Sequence, residues 1–242
     1  MEETQGNHMR QLEMCFEKRG GKRKGAGRKS YRETPCRRHV GREKMNRGTP
    51  LHITLRLIGG LPSLRRMDSM FVVRQAFAAA RDRLGMRIVH FGVISNHIHM
   101  IVEAENRDAV ANGMNGLQVR LIKRLNKLWQ RQGTIFVDRY HDRVITTPRQ
   151  MRNALCYVLQ NAKHHEIDLP DPIDPCTSGA AFDGWASPSI PVHSLRTVVP
   201  AQTWLLTTGW KRHGLIRLDE TPSSHAHAKH KTKTKTRSLS RS

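Results

Sequence analysis

The chain has 242 residues, of which 37% are hydrophobic, and it carries a formal net charge of +22 at pH 7. This length suits one domain with extensions, and so basic a chain is expected to meet a polyanion, most commonly nucleic acid. The four widely spaced cysteines form no CxxC pair, which argues against a zinc ribbon and a disulfide framework. The N-terminal residues lack an apolar leader and no run reaches transmembrane length, so we expect a cytoplasmic protein with no membrane partner.

Both ends of the chain are basic and poor in core-forming residues. Residues 1–50 hold 14 Lys/Arg against 6 Asp/Glu, and residues 221–242 hold 6 Lys/Arg and no acidic residue. This composition predicts a mostly disordered arm over 1–48, which is either a solvated linker or a minor-groove binder, and a disordered tail over 220–242. Between them we place a core domain at 49–169.

The first half of this domain shows three strand patterns and one helix. LHITLRL, at 51–57, alternates apolar and polar side chains, which is typical of a half-buried strand. An Ala-rich helix is expected next, with Asp68 as its N-cap and its end near Leu84. Two further apolar runs, at 87–95 and 97–104, are separated by a short turn and predict an antiparallel hairpin.

The second half is predicted to be mainly helical. Apolar residues recur every three or four positions over 106–131, which predicts a long amphipathic helix. An extended segment is expected at 133–145. Thr147, Pro148 and Gln150 then have the spacing of a capping box that begins another helix.

After Pro170 the composition changes. Residues 170–202 are rich in Pro, Gly and Ser and predict a linker, and residues 203–219 predict a short helical appendage that packs on the domain or on DNA. The predicted order of elements in the core is that of an α+β fold with an antiparallel sheet. Helices would cover one face of this sheet and leave the other open for a ligand.

SNHIHMIVEA places His97 and His99 two residues apart in the third predicted strand. Side chains alternate faces along a strand, so both imidazoles point to the same face. Such a pair is by itself more often structural than metal-binding. A structural zinc would need a cysteine pair nearby, and a histidine-triad phosphate site would need a third histidine where Met100 stands.

Tyr157 lies in a polar stripe of the last core helix, and the Asn161 amide follows one turn later. A divalent ion held by two imidazoles and an amide oxygen keeps positions open for water and a phosphate. A phenol beside it can attack the phosphorus, although an ordinary pKa of about 10 leaves little phenolate at neutral pH. Positioning, charge neutralisation and a base are the means of lowering that barrier.

These two stretches resemble a known family. SNHIHMIVEA resembles the HUH motif, and LCYVLQNAKHH the tyrosine helix, of the single-tyrosine HUH transposases, the insertion-sequence-200-like family. FVDRYHDRVI stands where that family has an Arg-containing strand. Within the family the chain most resembles the REP-associated tyrosine transposases (RAYTs), over roughly residues 50–168.

The resemblance implies a ferredoxin-like, RRM-like core and a nucleoid-associated protein. It implies Mg²⁺ or Mn²⁺ bound by His97, His99 and Asn161, with Tyr157 as the nucleophile on single-stranded DNA beside a hairpin of the REP type. The product would be a 5′-phosphotyrosyl link and a free 3′-OH, from which strands rejoin without ATP. Relatives act as monomers or as homodimers, and both remain open.

Two positions depart from the common pattern of the family. Many relatives have Gln where this chain has Asn161, and Gln160 directly precedes it, so two amides are candidates for the metal contact. Many relatives also have an acidic residue before the first histidine, where this chain has Asn96.

Cations are the remaining candidates for DNA contact, and for each a purely surface role is equally plausible. His52, on the polar face of the first strand, either approaches the metal site or is an ordinary sheet-edge histidine. The candidate cations are Arg120, Lys123, Arg124, Arg139, Arg143 and Lys163.

We therefore expect a transposase-like enzyme that nicks and rejoins single-stranded DNA at hairpins through a covalent tyrosine intermediate. One alternative is a non-catalytic protein that binds DNA hairpins or RNA on the same fold. Another is a metal-dependent phosphohydrolase, which would work without Tyr157.

Overall fold

A computed structural model describes residues 45, 46, 48–169, 171–187, 192, 193 and 195–221. The predicted arm and tail lie outside the described residues except at their inner ends. In the described part, no helix is both long enough and apolar enough to cross a membrane.

The core is a five-stranded antiparallel sheet in the order β2-β3-β4-β1-β5. Along β1, Leu51, Ile53 and Leu55 are buried against one layer of helices, while the residues between them face the other way. This alternation is the pattern that predicted the strand. The strands are β1 Leu51–Arg56, β2 Asp82–Arg83, β3 Met86–Val93, β4 His97–Ala104 and β5 His141–Val144.

Two helices, α1 (Met67–Ala80) and α2 (Arg107–Leu128), pack on the first face of the sheet. The α2 helix begins where it was predicted, and the Asn106 side chain caps it by accepting from the Ala109 amide at 2.8 Å. Asp68 was predicted to be the N-cap of α1. The N-cap is instead Arg66, and Asp68 lies in the first turn of the helix. The helix also ends before Leu84, because the chain turns there into the short β2–β3 hairpin with a positive φ of 56°.

Helix α3 (Pro148–Leu159) lies on the second face, where Leu155 and Val158 pack with Val89 and Ile101 of the sheet. Its predicted capping box is present, with Thr147 accepting from the Gln150 amide. Gly92 of β3 permits this docking, because a Cβ there would lie 2.0 Å from the Val158 carbonyl oxygen. The α+β antiparallel fold is thus confirmed, but the second face is not left wholly open.

The chain breaks its helical path at Gln160, whose φ of −118° and ψ of 21° are not helical, and resumes as the short helix α4 (Asn161–His164). Within the segment at 133–145 that was predicted to be extended, β5 is the part that forms a regular strand. Arg139 therefore lies in the loop before β5.

The described residues after 170 are packed on the core, which differs from the linker predicted for 170–202. The Thr177 backbone bridges Gly92 at the edge of β3, and the buried Asp174 forms an ion pair with the partly buried Arg65 at 2.7 Å. Helix α5 (Trp204–Thr207) and a 3-10 turn at Gly209–His213 pack against α3. Phe182, Trp185, Leu206, Trp210 and Ile216 complete the apolar cluster under α3.

Candidate active site

The sheet register brings together polar side chains of three strands on its second face. Thr54 of β1 stands between His99 of β4 and His141 of β5, and Arg56 stands beside His97. Directly opposed residues of antiparallel strands have Cβ atoms about 4.5–5.5 Å apart, so their side chains interact. The expected pair of same-face imidazoles therefore lies within a larger polar surface.

His97 and His99 have nearly parallel rings, with centres 5.9 Å apart and planes at 10°. Asn96 Oδ1 lies 2.7 Å from His97 Nδ1. Because this oxygen can only accept, His97 Nδ1 carries the proton and Nε2 holds the lone pair. The Asn96 side chain thus orients His97.

His99 is contacted from β1. Its Nδ1 lies 3.1 Å from Thr54 Oγ1 and 3.3 Å from His52 Nε2. His52 therefore contacts the histidine pair, rather than being an isolated sheet-edge histidine. Metal-bound histidines are oriented in this manner through their second ring nitrogen.

Electrostatics favour the neutral form of His97. Burial lowers the pKa of His97, and the positive charges of Arg56 and His165 lower it further. Only a neutral imidazole has a lone pair for a metal ion, so this shift suits a ligand.

Tyr157 is half-buried on α3 and meets His99 edge-on, with ring centres 5.1 Å apart and planes at 86°. Its ring centre also lies 5.7 Å from that of His52 and 6.1 Å from that of His164. Burial raises the pKa of Tyr157, and interaction with the Asn161 amide partly opposes this rise. The phenol is therefore beside the histidine pair and protonated at neutral pH.

The two candidate amides face different partners. Gln160 Nε2 donates to the Arg217 carbonyl at 2.7 Å, which ties it to the C-terminal segment. Asn161 is 2% exposed, and neither its amide oxygen nor its nitrogen has a partner at normal hydrogen-bond geometry among the described residues. Gln160 Oε1 is likewise buried without such a partner among the described residues, so both amide oxygens remain candidates for the metal contact.

These observations fit the expected divalent metal. Among the described residues, no three His, Cys, Asp or Glu side chains come together as a metal site, so an ion at the histidine pair needs another kind of ligand. A buried amide oxygen without a normal hydrogen bond is such a ligand, and carboxamide oxygens suit Mg²⁺ and Mn²⁺. The residues present are thus compatible with an ion held by His97, His99 and Asn161.

A cavity of about 470 Å³ opens over this surface. The sequence interpretation did not single out Arg56, His141 or Asp142, which line it. Arg56 could have been found, since it shares the polar face of β1 with His52. The lining residues are His52, Thr54, Arg56, His97, His99, His141, Asp142, Arg143, Tyr157, His164 and His165.

The candidate DNA-binding cations are divided between the two faces. Arg143 lines the cavity, directly opposite His52 in the sheet register. Lys163 lies on α4 but does not line the cavity, and Arg139 lies in the loop before β5. The α2 cations, Arg120, Lys123 and Arg124, belong to the helical layer on the opposite face, where Arg124 donates to Gln75 at 2.7 Å.

Comparisons with known proteins do not show which family this chain belongs to. No protein-family model and no curated protein matches the sequence. Among solved structures, the fold is similar to that of a REP-associated tyrosine transposase bound to a REP hairpin, with a TM-score of 0.48 and 16% identity. The similarity covers 58% of this chain and 81% of that chain, and both scores are too low for it to bear on function.

Proposed function

We propose that this protein is a metal-dependent transposase-like enzyme that nicks and rejoins single-stranded DNA through a covalent tyrosine intermediate. The observation that carries the proposal is the position of Tyr157, 5.1 Å between ring centres from His99 in a cavity that His97 and His99 also line. A protein that only bound nucleic acid would not need a phenol beside two oriented imidazoles.

The proposed reaction combines the groups in the cavity with the polarity of cleavage that the sequence resemblance implies. The Tyr157 oxygen attacks the phosphorus of a phosphodiester, the bond from phosphorus to the 3′ oxygen breaks, and the 5′ phosphate remains on the tyrosine. Attack by the free 3′-OH on this phosphotyrosine rejoins a strand. A Mg²⁺ or Mn²⁺ ion held by His97, His99 and Asn161 would supply charge neutralisation at the phosphate.

The cavity also suits the polyanionic substrate. Arg56 and Arg143 line it, and arginine recognises phosphate through paired hydrogen bonds. We propose that the substrate is single-stranded DNA beside a hairpin, as the sequence resemblance implies, and that the protein acts at the nucleoid.

The test is formation of a covalent adduct. The full chain is incubated with Mn²⁺ and labelled single-stranded hairpin DNA, and the mixture is denatured and resolved on a gel. We expect a labelled protein band that Tyr157→Phe abolishes without weakening hairpin binding. His97→Ala combined with His99→Ala should also abolish it. Tyr140→Phe is the matched control, because Tyr140 packs in the core on the other face of the sheet.

Two results would contradict the proposal. An adduct that persists in Tyr157→Phe would show that another residue is the nucleophile. A parent protein that binds the hairpin in a salt-sensitive manner and yields no adduct would instead be a non-catalytic binder.

A further inference from the structure

Residues 214–220, called the strap below, contact α3 at two places along the helix. Near the start of α3, Arg152 Nε donates to the Gly214 carbonyl of the strap at 2.9 Å. At the end of α3, Gln160 Nε2 donates to the Arg217 carbonyl of the strap at 2.7 Å. The strap therefore spans most of the helix that carries Tyr157.

The first of these contacts is strengthened by an ion pair. Arg152 Nη1 and Nη2 donate to the two carboxylate oxygens of Glu220 at 2.6 and 2.8 Å, and Nη2 also donates to the Leu215 carbonyl at 3.1 Å. Both side chains are partly buried, with 16% of Arg152 and 27% of Glu220 exposed. A bidentate pair of this kind fixes geometry better than a single contact between exposed charges. Glu220 thus anchors the strap on α3.

The strap is also attached to the rest of the domain. The Ile216 amide donates to the Gly184 carbonyl at 3.0 Å, and the Ala186 amide donates to the Ile216 carbonyl at 2.8 Å. The Ile216 side chain is fully buried in the apolar cluster under α3. Because these contacts fix the strap itself, it can hold the helix in place.

Tyr157 lies on α3 between the two attachment points, Arg152 and Gln160. The residues that line the cavity include neither Arg152 nor any residue of the strap. These contacts can therefore affect the Tyr157 position through the helix, without touching a phosphate in the cavity. A displacement of a reacting group by about 1 Å, caused by a distant substitution, can slow a reaction by about 100-fold.

We propose that the strap positions the nucleophile and that Glu220 is the positioning residue, an inference that rests on the proposed function. With the ion pair to Arg152 in place, α3 is held by both the sheet and the strap, and Tyr157 stays beside His99. Without the ion pair, α3 keeps its apolar contacts with the sheet but gains freedom to shift. Tyr157 then spends less time in the position for attack.

The first measurement follows the Tyr157 ring without requiring catalysis. The full chain is labelled with 3-fluorotyrosine, and its ¹⁹F NMR spectrum is assigned with single Tyr→Phe variants. We expect Glu220→Ala to shift or broaden the Tyr157 signal and to leave unchanged that of Tyr140, which packs in the core on the other face of the sheet. The tyrosines of the chain are Tyr31, Tyr140 and Tyr157.

The second measurement is the single-turnover rate of adduct formation with Mn²⁺ and saturating hairpin DNA. Glu220→Ala should be slower by about 10- to 100-fold, because the nucleophile is less well positioned, while hairpin affinity should not change. Glu220→Gln, a milder variant that keeps the shape of the side chain, should be slowed in the same direction. Adding Arg152→Gln to Glu220→Ala should slow the reaction little further, since both substitutions break one ion pair.

Asp219→Ala is the matched control. It removes the same charge from the neighbouring residue, whose ion pair with Arg217 is exposed. We expect both the parent rate and the parent spectrum in this variant.

Two results would overturn the role of the strap and leave the proposed function standing. The first is a Glu220→Ala protein that loses thermal stability but keeps the parent rate and the parent Tyr157 signal, because the strap would then only stabilise the fold. The second is a slower Glu220→Ala protein with an unchanged Tyr157 signal. Absence of any adduct from the parent protein would overturn both proposals.

Discussion

At the scale of residues, the candidate site depends on side chains that hold other side chains. Asn96 contacts Nδ1 of His97 and Thr54 contacts Nδ1 of His99, and these contacts orient the two rings. The sequence places both histidines on one face, but it does not show these contacts. The Thr54 contact depends on which residue of β1 pairs with His99, and strand register is set by packing over the whole sheet.

A different histidine makes the fold sensitive to acid. His90 is buried between Ser178 and Phe182, and burial lowers the pKa of His90 from 6.5 to about 4, although the charge of Asp183 partly opposes this. As the pH falls below 6.5, the unfolded chain takes up the proton first. The contribution to stability is thus complete above about pH 6.5 and is lost as the pH falls towards 4.

We expect the free energy of unfolding to fall by about 2 kcal/mol from this group between pH 7.5 and pH 5. Urea unfolding of the parent and of His90→Leu at both pH values measures the effect. In His90→Leu, the free energy of unfolding should fall less between pH 7.5 and pH 5, because the contribution of His90 is missing. Equal losses in the two proteins would show that His90 is not the cause.

At the scale of elements, the close docking of α3 on β3 sets the position of Tyr157. We expect Gly92→Ala to lower the free energy of unfolding by about 1–3 kcal/mol, because its Cβ would meet the Val158 carbonyl at 2.0 Å. It should also slow adduct formation, since Val158 adjoins Tyr157. Denaturant unfolding and the adduct assay measure the two effects.

Gly116→Ala is the matched control for this substitution. Gly116 lies in α2 with no atom near its added Cβ, so alanine should stabilise the helix by about 0.5–1 kcal/mol and leave adduct formation unchanged. A Gly92→Ala protein as stable and as active as the parent would show that α3 tolerates displacement from the sheet.

The elements with a clear hydrophobic period were predictable from the sequence. The β1 strand and the α2 helix lie where alternation and three-to-four spacing placed them, and Thr147, Pro148 and Gln150 identified the start of α3. The break at Gln160 was not predictable, because the side chain that stabilises it bonds to Arg217, far along the chain. Nor was the packing of the described residues after 170, whose buried aromatics are dispersed among Pro, Gly and Ser without a period.

At the scale of the whole molecule, the described residues carry positive charge on both faces of the sheet, and the cavity described above lies on one of these faces. Arg56 and Arg143 lie in the cavity, whereas Lys123 is exposed on α2 on the opposite side. Net charge indicates a polyanion partner, but it does not indicate which face that partner contacts. The candidate DNA-binding cations that were chosen from the sequence therefore lie on both faces.

We expect the hairpin to be held at the cavity face. Arg56→Gln should weaken hairpin binding and reduce the salt dependence of the affinity, the slope of log K against log salt, by about one unit. Lys123→Gln removes a charge of the same sign and should leave that slope nearly unchanged. Titrations of labelled hairpin with each variant at several salt concentrations measure both slopes. A larger change of slope for Lys123→Gln than for Arg56→Gln would place the DNA on α2.

The docking of α3 on the sheet of its own chain has a consequence for the stoichiometry of the reaction. The tyrosine and both imidazoles belong to one polypeptide, so a single copy already contains every side chain that the proposed chemistry uses. Cleavage by such an assembly would not weaken on dilution, whereas an enzyme that borrowed its nucleophile from a second subunit would lose activity as the subunits separated.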